Sequence, residues 1–383
     1  MNSKTIALAS ALSLSLVSVA SATTNYVYIT GSTAGRAQVY ATFNDVGVVF
    51  DAAPTVVTQG SSSANGASYM TFFGHQVGAA AGVITAVKAH WSGSEAGIAD
   101  LVGGTQQFLD DTAANSLASA TPGPFVSSPV DLAMADNNKA YSKNPGAAIT
   151  GSACGIIPFK WVKQKGSLAG ITNVTDAALR VMFTGGSPAA LLTGNATDTS
   201  WVYIAGRDSL SGTRVNALGV TGFGIFGAPQ QVNIAADGSM VDLGGGIYVG
   251  DFGFSSGGTL ATQMGFDLTQ ATSVDLNVGS GHFSVISYLG ISDASAAITA
   301  GGVELSYNGI FESPTTVREG QYTFWGNEYV YRKNTVSAQA GTVYSSLSSA
   351  SNGINTHADN VRLIDSRTMH AKRNGPTSDV THN

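Results

Sequence analysis

The residues best equipped for chemistry lie in Tyr203–Gly219, "YIAGRDSLSGTRVNALG". Arg207 stands a few places before Ser211, Gly212 and Thr213, where an apolar segment gives way to helix-forming residues. Two hydroxyls, a guanidinium and the free N–H groups of a helix start are what a tetrahedral oxyanion needs. The helix end offers unpaired donors and a partial positive charge, and arginine adds a forked, charge-assisted contact. Three other stretches offer similar small polar turns: Gly31-Ser32-Thr33-Ala34-Gly35, Gly93-Ser94-Glu95-Ala96-Gly97 and Ala135-Asp136-Asn137-Asn138. Taken singly, each has the composition of an ordinary helix cap.

All four turns follow β-patterned segments and precede helix-patterned ones. The strands are Tyr26–Ile29, Val83–Trp91, Val130–Met134 and the run ending at Ala205. The helices begin near Arg36, at Ile98–Val102 and after Thr213. Strands alternating with helices imply βα units and an α/β fold with mostly parallel sheets. In such sheets ligands bind beyond the carboxyl ends of the strands, where these turns would converge.

Ile156–Val162 is a further apolar strand, followed by an exposed turn at Lys163–Ser167 and a helix capped by Thr175 and stopped by Gly185-Gly186. Beyond residue 220 the chain is glycine-rich, with a probable-hairpin pattern and a second Ser-Gly-Gly-Thr turn before a short helix. Residues 282–294 read as one buried strand. Tyr322, Phe324, Trp325, Tyr329 and Tyr331 read as core or hinge packing, and the last residues as a polar, frayed tail.

Of 383 residues, 43% are hydrophobic, 11% are charged and 47 are glycine, with a net charge of −6. No basic stripe exists to neutralise a nucleic-acid backbone, so no nucleic-acid partner is expected. Residues 1–22 read as a secretory signal: Lys4, an apolar run from Ile6 to Val19, then Ala20-Ser21-Ala22. That run is shorter than the roughly 18 residues of a membrane span. Cys154 is the only cysteine and lies far from the cleavage point, so neither a disulfide nor a lipid anchor there is expected. The six histidines (His75, His90, His282, His357, His370, His382) show no metal-ligand spacing, and no metal or cofactor is expected. No phosphate-loop NTPase motif is present. Ser211 lacks a nucleophile elbow, so the sequence does not read as an enzyme.

The order of the motifs resembles the periplasmic phosphate-binding proteins of ABC importers. "GSTAGRAQVY", "GSEAGIADLVGG", "VDLAMAD", the 155–186 segment and "GRDSLSGTR" follow one another as the family's motifs do, across about residues 28–334. The resemblance implies a two-lobed, type II-like periplasmic binding protein, monomeric, with phosphate in the interlobe cleft and an ABC permease as partner. The implied lobes are 23–150 with 285–370, and 151–284, followed by a tail at 371–383. The ligand residues carried over are Thr33 and Ala34, Ser94, Asp136, Arg207, and Ser211, Gly212 and Thr213. Asp136 would accept a hydrogen bond from a protonated oxyanion, favouring phosphate over sulfate.

The chain departs from the family pattern at several positions. Ser209 stands where the family has aspartate, with Asp208 one place earlier. Leu210 replaces glycine, Ala34 an aromatic residue and Gly35 a proline. Either Asp208 would restrain Arg207 from a shifted loop, or the site would be looser. Glu95 would add negative charge near the entrance. A non-transport descendant with a surface or adhesion role, or one binding another oxyanion, is the alternative function.

Overall fold

The computed structural model describes residues 23–61, 63–111, 122–145, 148–279 and 281–382; the expected signal segment, 1–22, lies outside them. The first half begins β1 (Thr23–Gly31), α1 (Arg36–Asn44), β2 (Thr55–Gln59), β3 (Tyr69–Gly74), β4 (Val83–His90) and α2 (Ser94–Gly103). It continues with β5 (Thr105–Leu109), β6 (Phe125–Pro129) and β7 (Leu132–Ala135). β1 is parallel to both β4 and β7, so the three turns singled out above leave the same end of one sheet. Val27 and Ile29 point to one face, packed with Val39 and Phe43 of α1, while Tyr28 packs on Phe108 on the other.

The second half contains β8 (Ile149–Lys163), β9 (Asn173–Val174), α3 (Asp176–Met182), β10 (Ser187–Pro188), α4 (Ala190–Thr193) and β11 (Trp201–Ala205). After these come α5 (Gly212–Val220), α6 (Gly257–Met264), β12 (Phe283–Gly290), α7 (Ile291–Thr299) and β13 (Val303–Tyr307). The chain returns through α8 (Pro314–Arg318), β14 (Trp325–Lys333) and α9 (Ala338–Ser348), and ends in a short hairpin of β15 (Ala371–Lys372) and β16 (Thr381–His382). β11 and β12 are parallel, so the loop carrying Arg207 leaves its sheet as the other turns leave theirs.

The two halves are joined by strands. β8 is 15 residues long, far beyond the expected Ile156–Val162. Its first part pairs antiparallel with β14, which in turn pairs with β7. Its last part pairs with β12 and β13. One 12-stranded sheet results, ten of its strands on a continuous path and β13 and β9 branching from β8. Pro158 sits where partners change: it is opposite Trp325, the first residue of β14, and Phe159 is already opposite Gly290 of β12. A proline has no N–H to contribute to a ladder and is best tolerated at such an exchange.

The aromatic cluster is core, as its apolar pattern suggested. Trp161 stacks on Phe324 at 5.2 Å and meets Tyr288 edge-on at 5.7 Å, pinning β8, β12 and the approach to β14 together. Each fully buried ring of this kind stabilises by about 1.5–3 kcal/mol. Cys154 is buried, with its Sγ donating to the Glu328 carbonyl at 3.4 Å.

Some local expectations do not hold. Lys163 is not in an exposed turn: its Nζ is buried and donates to the carbonyls of Leu168, Ala169 and Ile171. The hairpin expected after residue 220 is reduced to two isolated bridges, Ile234 with Met240 around Gly238 and Gln231 with Gly250. Nor is the C-terminus frayed. Arg373 is buried, donates to the Thr323 carbonyl at 2.9 Å and lies 4.7 Å over the Trp325 ring. Gly375 lies against Tyr141 and Pro376 against Gly219, so the tail spans both halves.

Candidate functional site

The three turns of the first half are packed into one another by backbone contacts. Gly31 has φ +118°, and a side chain there would collide with the Met134 carbonyl; the Ser32 N–H donates to that same carbonyl at 2.8 Å. The Gly93 N–H donates to the Gly31 carbonyl at 2.8 Å, and Gly97 rests directly on Gly31. Only glycine allows approaches this close. α2 begins at Ser94, four residues earlier than the sequence pattern suggested, so Ser94 lies at the helix start.

Asp136 is at the centre. Ser94 Oγ donates to its Oδ1 at 2.6 Å and accepts from its N–H at 3.1 Å. From the other half, Thr213 Oγ1 donates to Oδ2 at 3.3 Å and Asn216 Nδ2 to its carbonyl at 2.8 Å. The carboxylate rests so closely on Gly212, the first residue of α5, that a Cβ there would strike Oδ1. Ser211 is the N-cap of α5, its Oγ accepting from the Arg214 N–H at 3.3 Å. The Glu95 N–H donates to the Leu210 carbonyl at 3.0 Å, so the two halves meet here main chain to main chain. Burial pushes the Asp136 carboxyl up, while the Ser94 and Thr213 hydroxyls and the Arg207 charge hold it down.

Arg207 is buried and aimed by a segment far away in sequence. Its Nε donates to the Phe254 carbonyl at 3.0 Å and its Nη2 to the Ser255 carbonyl at 2.8 Å, just before α6. Its N–H donates to Tyr288 Oη at 3.1 Å, and its own carbonyl accepts from Arg214 Nη1 at 3.2 Å. The remaining Nη1 lies toward Gly257 and Asp293. Asp208 does not restrain it. The Asp208 carboxylate accepts from the Leu210 N–H at 3.0 Å and closes its own turn.

The aspartate beside Arg207 is Asp293, in the first turn of α7. It repeats the Asp136 arrangement. Asp293 presses on Gly257 at the start of α6 as Asp136 presses on Gly212 at the start of α5, and the Arg207 charge lowers both carboxyls. Burial pushes Asp293 up, and Arg207 and Arg36 pull it down. Asp293 escaped the sequence analysis because residues 282–294 read as one strand. β12 in fact ends at Gly290, and α7 starts at once at Ile291 with Asp293 in its first turn.

The first turn contributes differently from expectation. Thr33 and Ala34 do line the cleft, beside Arg36. The Ala34 N–H, however, is taken by Ser32 Oγ at 3.2 Å. Beneath this turn lies Glu328 of β14, fully buried, with its Oε2 accepting from Ser32 Oγ at 3.3 Å. Burial and the nearby Asp136 push its carboxyl well above the usual range. Glu95 is not at the entrance: it is buried, and its carboxylate accepts from Asn137 Nδ2, Ser142 Oγ and the Lys143 N–H at 2.8–2.9 Å.

The eight expected ligand residues thus fall into two adjoining groups. Ser94, Asp136, Ser211, Gly212 and Thr213 meet where the two halves of the chain touch. Thr33 and Ala34 line the space that Arg36 and Asp293 also line, and Arg207 Nη1 lies toward Asp293. Among the described residues no cluster of His, Cys, Asp and Glu could hold a metal ion, and no helix is long and apolar enough to cross a membrane.

No protein-family model and no curated protein matches the sequence. Solved structures do match. A chain from Clostridium perfringens, solved with bound phosphate and assigned as a phosphate ABC transporter substrate-binding protein, has a TM-score of 0.51 at 12% identity, over 89% of this chain and 99% of that one. An ABC-type phosphate transport receptor from Vibrio cholerae has a TM-score of 0.42 at 13% identity, over 86% and 95%. Only the first superposes closely enough to bear on the fold. With its strand-linked halves and converging turns, this chain has the α/β fold of the two-lobed phosphate-binding proteins of ABC transporters.

Proposed function

We propose that the chain is an exported solute-binding protein, monomeric, that captures inorganic phosphate between its lobes and delivers it to an ABC importer. The observation that carries this is the pairing of Asp136 with Ser94 from one lobe and with Thr213 at the start of α5 from the other, beside Arg207. An anion entering here would meet the α5 N-terminus and the Arg207 guanidinium, and its own hydroxyl could donate to Asp136. Each carboxylate oxygen has two lone pairs and has one protein hydroxyl as donor, so acceptor capacity remains. Phosphate at neutral pH carries a proton to give; sulfate does not. Ligand contacts made to both lobes favour closure, and no bond of the ligand is broken.

Isothermal titration calorimetry with phosphate and sulfate tests the proposal. Arg207→Ala, which loses a charge-assisted contact of about 1.5–3 kcal/mol, weakens phosphate roughly ten- to hundredfold. Asp136→Asn narrows the gap between phosphate and sulfate. Unchanged affinities for both anions in Asp136→Asn would remove that carboxylate from the account.

The direct bond from Glu95 to the Leu210 carbonyl favours a second function, a non-transport descendant whose lobes are held together by protein contacts. It predicts no heat with either anion.

A further inference from the structure

We propose that the cleft takes a phosphate monoester with a small hydroxylated substituent, its phosphoryl group at Arg207 and its substituent in the adjoining cavity. This rests on the phosphate reading above and extends it to the class of solute.

The cavity holds about 370 Å³ and opens directly from Thr33 and Ala34, between the starts of α1 and α7. At ~30 Å³ per liquid water molecule, that is room for roughly ten waters, far more than one tetrahedral oxyanion fills. Its inner corner is charged and unmatched. Arg36 makes no hydrogen bond or ion pair among the described residues. Arg207 has Nη1 left over after its two carbonyl contacts. Asp293 is close enough to both arginines to feel their charge but forms no ion pair with either. Burial and the Arg207 charge both lower Arg36. Arg36 and Asp293 line this corner and Arg207 Nη1 lies just beyond Asp293, so the corner suits the phosphoryl monoanion of an ester, whose remaining hydroxyl can donate to Asp136.

The outer wall has a different character. Ser61, Ser63 and Asn65 face Ser292 and Ser295 of α7, with Arg362 at the rim. Hydroxyls and an amide suit the hydroxyl groups of a polyol. No aromatic ring lines the space, so a nucleobase would find nothing to stack on. A glycerol or sugar phosphate therefore fits this lining better than a nucleotide.

The test is calorimetry at about pH 6, where a phosphate monoester still keeps a proton, on the full mature chain with orthophosphate, glycerol 3-phosphate and adenosine monophosphate, repeated on Ala37→Leu and Asn65→Ala. Ala37 lines the cavity on α1, and leucine there fills part of it. The expected result is glycerol 3-phosphate binding within about threefold of orthophosphate or tighter, and adenosine monophosphate at least about tenfold weaker. Ala37→Leu weakens the ester about tenfold or more while orthophosphate stays within about twofold. Asn65→Ala shows the same selectivity with a smaller loss. If orthophosphate binds and the ester is excluded, the inference is wrong and the phosphate reading stands. If neither binds, both fall. If the nucleotide binds best, the polyol class is overturned.

Discussion

Gly212→Ala is the sharpest probe of how the site is assembled. A Cβ on Gly212 would collide with Asp136 Oδ1 and come within 2.7 Å of both Asn137 Oδ1 and Ser94 Cβ. The carboxylate is not free to swing aside, since Ser94 holds it at 2.6 Å. It would have to withdraw by roughly an ångström or more to restore ordinary contact. That breaks the buried hydrogen bond from Ser94, worth about 1.5–3 kcal/mol for a charged acceptor, and the longer one from Thr213. Alanine's better helix propensity returns at most ~1 kcal/mol. The net cost is about 1–2 kcal/mol or more. On the proposed two-lobed reading Gly212 and Asp136 belong to different lobes, which can separate to relieve it. The cost then falls on closure rather than on global stability. Phosphate affinity should drop about tenfold or more, while the urea midpoint followed by tryptophan fluorescence moves by less than the equivalent of about 1 kcal/mol. An unchanged phosphate affinity in Gly212→Ala would refute the reasoning, and so would a full loss of stability without loss of binding. The latter would make the contact permanent core.

Two further outcomes concern stability. The imidazole of His90, stacked on Tyr69 at 4.1 Å, has its pKa lowered by burial from the usual histidine value of 6.5 to about 4. Between those values the unfolded chain binds a proton that the folded one does not. Stability is therefore complete above about pH 6.5 and falls as the pH drops toward 4, by about 3 kcal/mol at most. His90→Gln should flatten the difference between urea midpoints at pH 7.5 and 4.5, and an identical pH dependence in parent and variant would contradict this. Arg373→Ala should cost about 1–3 kcal/mol through loss of the Thr323 hydrogen bond and the cation–π contact with Trp325. A midpoint equal to the parent's would show the tail to be a passive ornament.

Local pattern carried the positions of the turns. Gly31–Gly35, Gly93–Gly97, Ala135–Asn138 and the Arg207–Thr213 loop each join a strand to a helix, apart from the short 3₁₀ turn that follows Asp136, and the parallel pairing of β1 with β4 and β7 puts three of them at one sheet end. Side-chain direction was not legible. Arg207 is aimed by the carbonyls of Phe254 and Ser255, and nothing in the spacing of a glycine-rich segment announces that approach. Asp293 was hidden because eight strand residues and a helix start share one apolar run, with only Gly290 to divide them. Glu95 looked like an exposed charge on a polar turn. Its burial depends on Asn137, Ser142 and Lys143, which lie more than forty residues away and come near only once β7 pairs with β1. The tail is short and polar, and the seating of Arg373 on Trp325, like the contacts of Gly375 with Tyr141 and Pro376 with Gly219, is something no composition reveals.

The central claim is that an oxyanion is held between Arg207, Asp136 and the start of α5. A crystal structure of the mature protein grown with phosphate tests it most directly. The account predicts a tetrahedral anion in the cleft, within hydrogen-bond distance of Arg207 Nη1, of an Asp136 carboxylate oxygen and of the 212–213 backbone. A cleft without the anion, with Asp136 still bonded to both Ser94 and Thr213 at a phosphate concentration in the millimolar range, would contradict it.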